Sequence, residues 1–187
     1  MGEIKRGFVT PLRVESVDAR WWKILERLRW VGYLDPPDIF DVEPGELTDF
    51  ATVPWWSQFL LPRTGTWTKA AVLHDLMCRL LKEYYRLKKN YDELIAEGIS
   101  PDKLLEPIEP AFSSVDADAI FRKNARDGGT DPIRSELLWF GVRCGSLWDA
   151  HRRDEWVSTF PRFAFDLVWI LTVLFVILGL ISWLWPW

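Results

Sequence analysis

Between Leu167 and Trp187 the sequence runs LVWILTVLFVILGLISWLWPW without one charged residue, and no other feature limits so strongly what this chain can fold into. About 20 helical residues cross the hydrocarbon core of a bilayer, so the run is long enough for one span. A helix on the surface of a globular domain keeps a polar face. Here only Thr172 and Ser182 are polar, and both hydroxyls can bond to helix carbonyls. Because the run closes the sequence, it reads as a transmembrane tail anchor over residues 163–187. Arg152, Arg153 and Arg162 precede it and no basic residue follows, an asymmetry that places residues 1–162 on the cytoplasmic side. Trp169 at one end and Trp183, Trp185 and Trp187 at the other suit aromatic belts at the two interfaces. The first residues, MGEIKRGFVTPLRVES, hold neither the apolar core of a secretory signal nor the Ser or Thr of a myristoylation site.

Most of the 187 residues lie outside this run, enough for one domain with a real core. A formal charge of -4, from 23 basic and 27 acidic residues, gives no polycationic face, and no nucleic-acid partner is expected. Cys78 and Cys144 have no CxxC spacing, so neither a zinc ribbon nor a disulfide framework is indicated. Trp21, Trp22, Trp30, Trp55, Trp56 and Trp67 crowd the first third, where β structure can bury them.

Apolar residues at Phe8 and Val9, and over 12–17, 22–25, 28–34 and 39–42, read as short strands. The turn sequences Asp35-Pro36-Pro37-Asp38 and Glu43-Pro44-Gly45-Glu46 interrupt them. Pro44-Gly45 has the chemistry of a type II turn, in which the glycine takes positive φ. Beyond Pro62 the period becomes helical. One helix starts near Thr66 or Thr68 and carries Ala70, Ala71, Leu73, Leu76, Met77, Leu80 and Leu81, continuing through Tyr84, Leu87, Tyr91, Leu94 and Ile95 to a stop at Gly98. After three prolines, Ser113 or Ser114 caps a second helix through Phe121 to Gly128-Gly129. Asp131-Pro132 opens a third, past Leu137, Leu138 and Val142 to Gly145.

Four separated segments carry a resemblance: Thr48-Asp49-Phe50-Ala51-Thr52-Val53-Pro54; Ala70-Ala71-Val72-Leu73-His74-Asp75; Ala117-Asp118 with Phe121; and Val142-Arg143 with Gly145. In that order they resemble the signatures TD(G/F)AS(I/V)P, AAxxHDxLY, ADxxF and VRxxG of a family of tailed-phage and prophage proteins, catalogued as domain of unknown function 1353. The resemblance covers about 22–145. Thr52 replaces the usual Ser, Met77-Cys78 replaces Leu-Tyr, and about 79–112 reads as an insertion bearing a long charged helix. What it implies is a phage- or prophage-encoded protein, and with the anchor, one held at the bacterial inner membrane; virion association is a further implication.

Within these signatures, His74, Asp75, Asp49 and Asp118 are the candidate catalytic residues. Neighbouring helix residues diverge by about 100°, so His74 and Asp75 point apart, and each could meet Asp49 from the loop or Asp118 from the second helix. One His with two or three carboxylates suits a divalent metal or a carboxylate-oriented general base. Duller roles stand beside these: Asp49 capping the turn before Pro54, Asp75 pairing with Arg79, Asp118 pairing with Arg122, and His74 organising a core. Cys78, one turn from His74, makes a thiol and base pair without a supporting signature. Ser57 sits in no GxSxG elbow, and no phosphate loop is present.

The sequence therefore predicts an α+β fold, a small antiparallel β region packed on about three helices, plus one C-terminal transmembrane helix. It predicts a membrane-anchored protein at the inner face of the host envelope with a metal-dependent or His/Asp hydrolase-like site. The alternative is a non-catalytic interaction or virion-associated protein, docking a phage or host partner, in which the His/Asp set is structural.

Overall fold

In the computed structural model the chain divides into two units after Gly145. The structure describes residues 6–33, 37–50, 62 and 64–145, all in the first unit. They form six short strands and then three helices: β1 (Gly7–Phe8), β2 (Val14–Ser16), β3 (Trp22–Ile24), β4 (Leu28–Val31), β5 (Ile39–Val42), β6 (Leu47–Thr48), α1 (Thr68–Ala96), α2 (Ser114–Asp127) and α3 (Pro132–Gly145). The strands make two antiparallel three-stranded sheets, ordered β1-β4-β5 and β2-β3-β6.

Gly45 has φ 93°, as the Pro44-Gly45 turn chemistry requires. The turn makes no hairpin, however. β5 pairs with β4, whereas β6 pairs with β3 through Trp22 opposite Thr48. The turn thus carries the chain from one sheet to the other.

The first half of α1 is the spine of the domain. Ala70, Ala71, Val72, Leu73, His74, Leu76 and Met77 are all buried, because this stretch is apolar nearly all round the helix. Successive residues face three different clusters. Val72 and Leu76 pack with Ile24, Leu28, Val42 and Phe50 of the β region. Leu73 and Met77 meet Trp30 and Ala117. Ala70 and Ala71 meet Phe121, Ala125 and Leu138 on α2 and α3. Small residues at 70, 71, 117 and 125 let the α1 and α2 backbones approach closely, a geometry in which even one added methyl group is felt.

Past Leu81 the same helix carries Lys82, Glu83, Arg86, Lys88, Lys89, Asp92 and Glu93 and leaves the core. It ends before Gly98, at φ 89°. Ser113 then caps α2 in a reciprocal box: its hydroxyl accepts from the Asp116 amide, and the Asp116 carboxylate accepts from the Ser113 amide.

The fold expectation needs one correction. The described residues form an α+β domain of three helices and two small sheets, and among them no helix is long and apolar enough to cross a membrane. At 29 residues α1 has the length, but its charged second half could not be desolvated in lipid. The expected anchor over 163–187 lies outside the described residues. The membrane partner, the inner-membrane location and the tail-anchored function rested on it alone, and they are not carried forward.

Candidate functional site

Each helix contributes one side chain to a buried polar cluster. His74 of α1 faces Asp118 of α2, with Nε2 2.7 Å from Oδ1, and Arg143 of α3 donates from Nη1 to the other carboxylate oxygen at 2.9 Å. Asp118 has no solvent exposure, and His74 and Arg143 expose only 8% and 4%. A carboxylate this deep is tolerable only when charged donors replace its water. The Phe121 ring lies 5.4 Å from the imidazole and closes the apolar side.

The His74 imidazole responds to two opposing influences. Burial pulls its pKa down; the bond to Asp118 and the adjacent Cys78 sulfur push it up, and the net result is a rise to about 10. His74 is therefore an imidazolium that donates to Asp118 at neutral pH, and it has no lone pair with which to accept a proton. Cys78 Sγ lies 3.8 Å from Nδ1 and 3.6 Å from Nε2. Being nearly equidistant, it is not aligned on one nitrogen as a nucleophile and its base must be.

Asp75, one residue on, points into a different environment. Thr48 at the end of β6 donates its hydroxyl to Asp75 Oδ2 at 2.7 Å, and the Thr48 hydroxyl oxygen accepts from the Phe50 amide at 3.0 Å. Phe50 has φ 63°, a left-handed conformation that costs a non-glycine residue on the order of 1 kcal/mol. Its buried ring packs on Trp22 at 5.5 Å. The Thr-Asp-Phe order is thus explained locally: the hydroxyl both accepts from the turn and donates to α1, while the aromatic ring seats the turn in the core. Burial raises the Asp75 pKa to about 6, against the lowering effect of Thr48. Asp49 is half-buried and pairs with Arg20 at 3.4 Å.

The structure therefore brings His74 and Asp118 into direct contact and leaves Asp75 and Asp49 in a neighbouring corner. Asp118 pairs with Arg143 rather than Arg122, which binds Glu136 at 2.6 Å. Arg79 pairs with Glu46, not with Asp75. Arg143 and Thr48 were the partners that sequence reasoning missed as site residues. Both stand inside quoted signatures, and a buried carboxylate requires a cation, so Arg143 was the one findable signal.

The model of the family described as "Protein of unknown function (DUF1353)" matches residues 22–142. The chain belongs to this family. No curated protein and no solved structure matches it. In this DUF1353 chain the four signatures now have physical roles: the first supplies the Thr48 turn, and the other three supply His74, Asp118 and Arg143. Among the described residues no group of three His, Cys, Asp or Glu side chains is placed to hold a metal ion. The His74–Asp118 pair does not fit one either, since its carboxylate faces a guanidinium 2.9 Å away that a divalent cation would have to displace.

Proposed function

We propose that this DUF1353 protein is a non-catalytic interaction component of a phage or prophage, in which His74 and Asp118 fasten the helices together and a partner docks elsewhere on the domain. The observation that carries the reading is the zero exposure of Asp118 between His74 and Arg143. A general base or a metal ligand must reach a substrate, and this carboxylate reaches only protein. The tailed-phage and prophage character comes from the signature resemblance. The surface offered to a partner is the protruding half of α1, where Leu80, Leu87 and Leu94 are exposed.

Thermal and denaturant unfolding of Asp118→Ala and His74→Ala tests the reading. Removing one member of a buried ionic set leaves the others uncompensated and costs about 3 to 5 kcal/mol. Variants that melt with the wild-type protein would show that the set does not brace the fold.

A further inference from the structure

Between α1 and α2 the chain runs as a segment, 104–112, whose exposure repeats every three residues. Leu104, Pro107 and Pro110 are half-buried and the residues between them are exposed; three per turn is the period of polyproline II. One outward edge carries Leu105 and Ile108, 95% and 92% exposed, and no other large apolar side chain among the described residues stands so far into water. The other edge carries Glu106 and Glu109. Glu106 lies 3.9 Å from Lys88 on the protruding half of α1, whereas Glu109 has no ion pair among the described residues. The segment thus offers two apolar side chains beside at least one uncompensated carboxylate.

The complementary features meet in a cleft of about 400 Å³ on α2 and α3, lined by Ala119, Arg122, Lys123, Arg126, Asp127 and Trp139. Arg122 donates to Glu136 Oε1 from Nε at 2.8 Å and from Nη2 at 2.6 Å. Arg126 Nη2 converges on the same oxygen, and its Nε donates to the buried Ser135 hydroxyl at 3.0 Å. The Arg122 guanidinium also lies 5.0 Å over the Trp139 ring. Two guanidiniums are therefore held in place by a single carboxylate, and with Lys123 paired to Asp127 one positive charge is left over. Nη1 of each guanidinium has no acceptor among the described residues. Such a fork suits a second carboxylate, and Ala119 and Trp139 beside it suit an apolar side chain.

We propose that this cleft takes the 104–112 segment of a second copy of the chain, with Glu109 on Arg122 and Arg126 and Ile108 against Ala119 and Trp139. The proposal rests on the interaction reading above and names the partner. A copy cannot fill its own cleft. α1 and α2 run antiparallel, since Ala70 and Ala71 cluster with Phe121 and Ala125 while Met77 clusters with Ala117. Lys88, beside Glu106, stands fourteen residues beyond His74, about 21 Å along α1. Arg122 and Arg126 lie past Asp118 in the other direction, by about 6 and 12 Å along α2. Segment and cleft sit at opposite ends of the domain, so each copy presents one of them to each neighbour. A head-to-tail contact of this kind closes into a ring or runs on as an open filament.

Sedimentation of the full chain tests the contact, with two surface variants: Ile108→Ser/Glu109→Lys in the segment, and Ala119→Glu, which puts a carboxylate of the chain's own into the cleft. The wild-type chain should associate with rising concentration, and each variant at least tenfold more weakly. An equimolar mixture of the two variants should form one-to-one dimers and stop there, because one retains the cleft and the other the segment. A fluorescein-labelled peptide of residues 103–112 should bind the wild-type chain and lose at least tenfold in affinity on Ala119→Glu. Association indifferent to both variants, a mixture that stays monomeric, or peptide binding unchanged by Ala119→Glu would overturn the proposal. A monomeric wild-type chain that still binds the peptide would overturn the second copy in favour of an acidic segment of another protein. The structural reading of Asp118 is judged separately, by the melting of Asp118→Ala, which none of these outcomes decides.

Discussion

Thr48 donates its hydroxyl to Asp75 across 2.7 Å, joining the end of β6 to the middle of α1 while its oxygen holds the Phe50 turn. Asp75 remains costly to ionise in spite of that bond, because burial outweighs it and Asp49 adds to the effect, while His74 and Arg79 counter in part. Its folded pKa of about 6 exceeds the ordinary carboxyl value of 3.8. The stabilisation tied to protonated Asp75 is therefore complete below the unfolded value and lost as pH rises through about 6. Asp75→Asn should gain on the wild-type protein between pH 5 and 7.5, by on the order of 1 kcal/mol after allowance for partial exposure. Melting curves of the two proteins across that range check it; parallel curves would contradict it.

His74 has the opposite charge type. Its pKa is raised from 6.5 to about 10, so its contribution is complete below pH 6.5 and disappears as pH rises through about 10. The melting difference between wild type and His74→Gln should be largest near pH 6 and shrink towards pH 10. Imidazole nitrogen chemical shifts should report a doubly protonated ring at pH 7.5.

The Trp30 indole of β4 donates to Asn124 of α2 at 2.9 Å, and the Asn124 amide in turn donates to the Ile120 carbonyl. Trp30→Phe keeps an aromatic ring but leaves the buried Asn124 oxygen unpaired, a loss of about 1 to 3 kcal/mol. A cycle with Asn124→Leu should show a coupling above about 0.5 kcal/mol. Strict additivity in denaturant unfolding would mean the bond adds nothing to the sheet-to-helix join.

Gly128 and Gly45 should fail for different reasons. A Cβ at Gly128 would lie 2.6 Å from the Thr66 carbonyl oxygen, backbone against backbone, so Gly128→Ala should cost about 1 to 3 kcal/mol by forcing α2 away from the start of α1. At Gly45 nothing lies within 4 Å and φ is 93°. Gly45→Ala should cost only the strain of a left-handed residue, about 1 to 2 kcal/mol. Relief of strain by a Gly45→Asn variant, with no matching rescue at 128, would separate the two in unfolding experiments.

The elements of this domain were legible because their causes are local. Ser113 with Asp116 announces a helix start, Gly98 a stop and Pro44-Gly45 a turn, each within a few residues, and the structure places α1, α2 and α3 where those signals fall. The convergence of His74 and Asp118 was legible only in outline, from two polar residues on otherwise apolar helix faces. The partner of each group was not, since Asp118 pairs with Arg143, Asp75 with Thr48 and Trp30 with Asn124 at separations of 25, 27 and 94 residues. Those pairings depend on which faces the packing of small residues brings together. The order of apolar periods and turn residues by itself determined an α+β chain with a long helix whose second half is charged. Tertiary structure alone decided that Asp118 would lie between two cations with no route to solvent, because burial is a property of the assembled layers and not of any one segment.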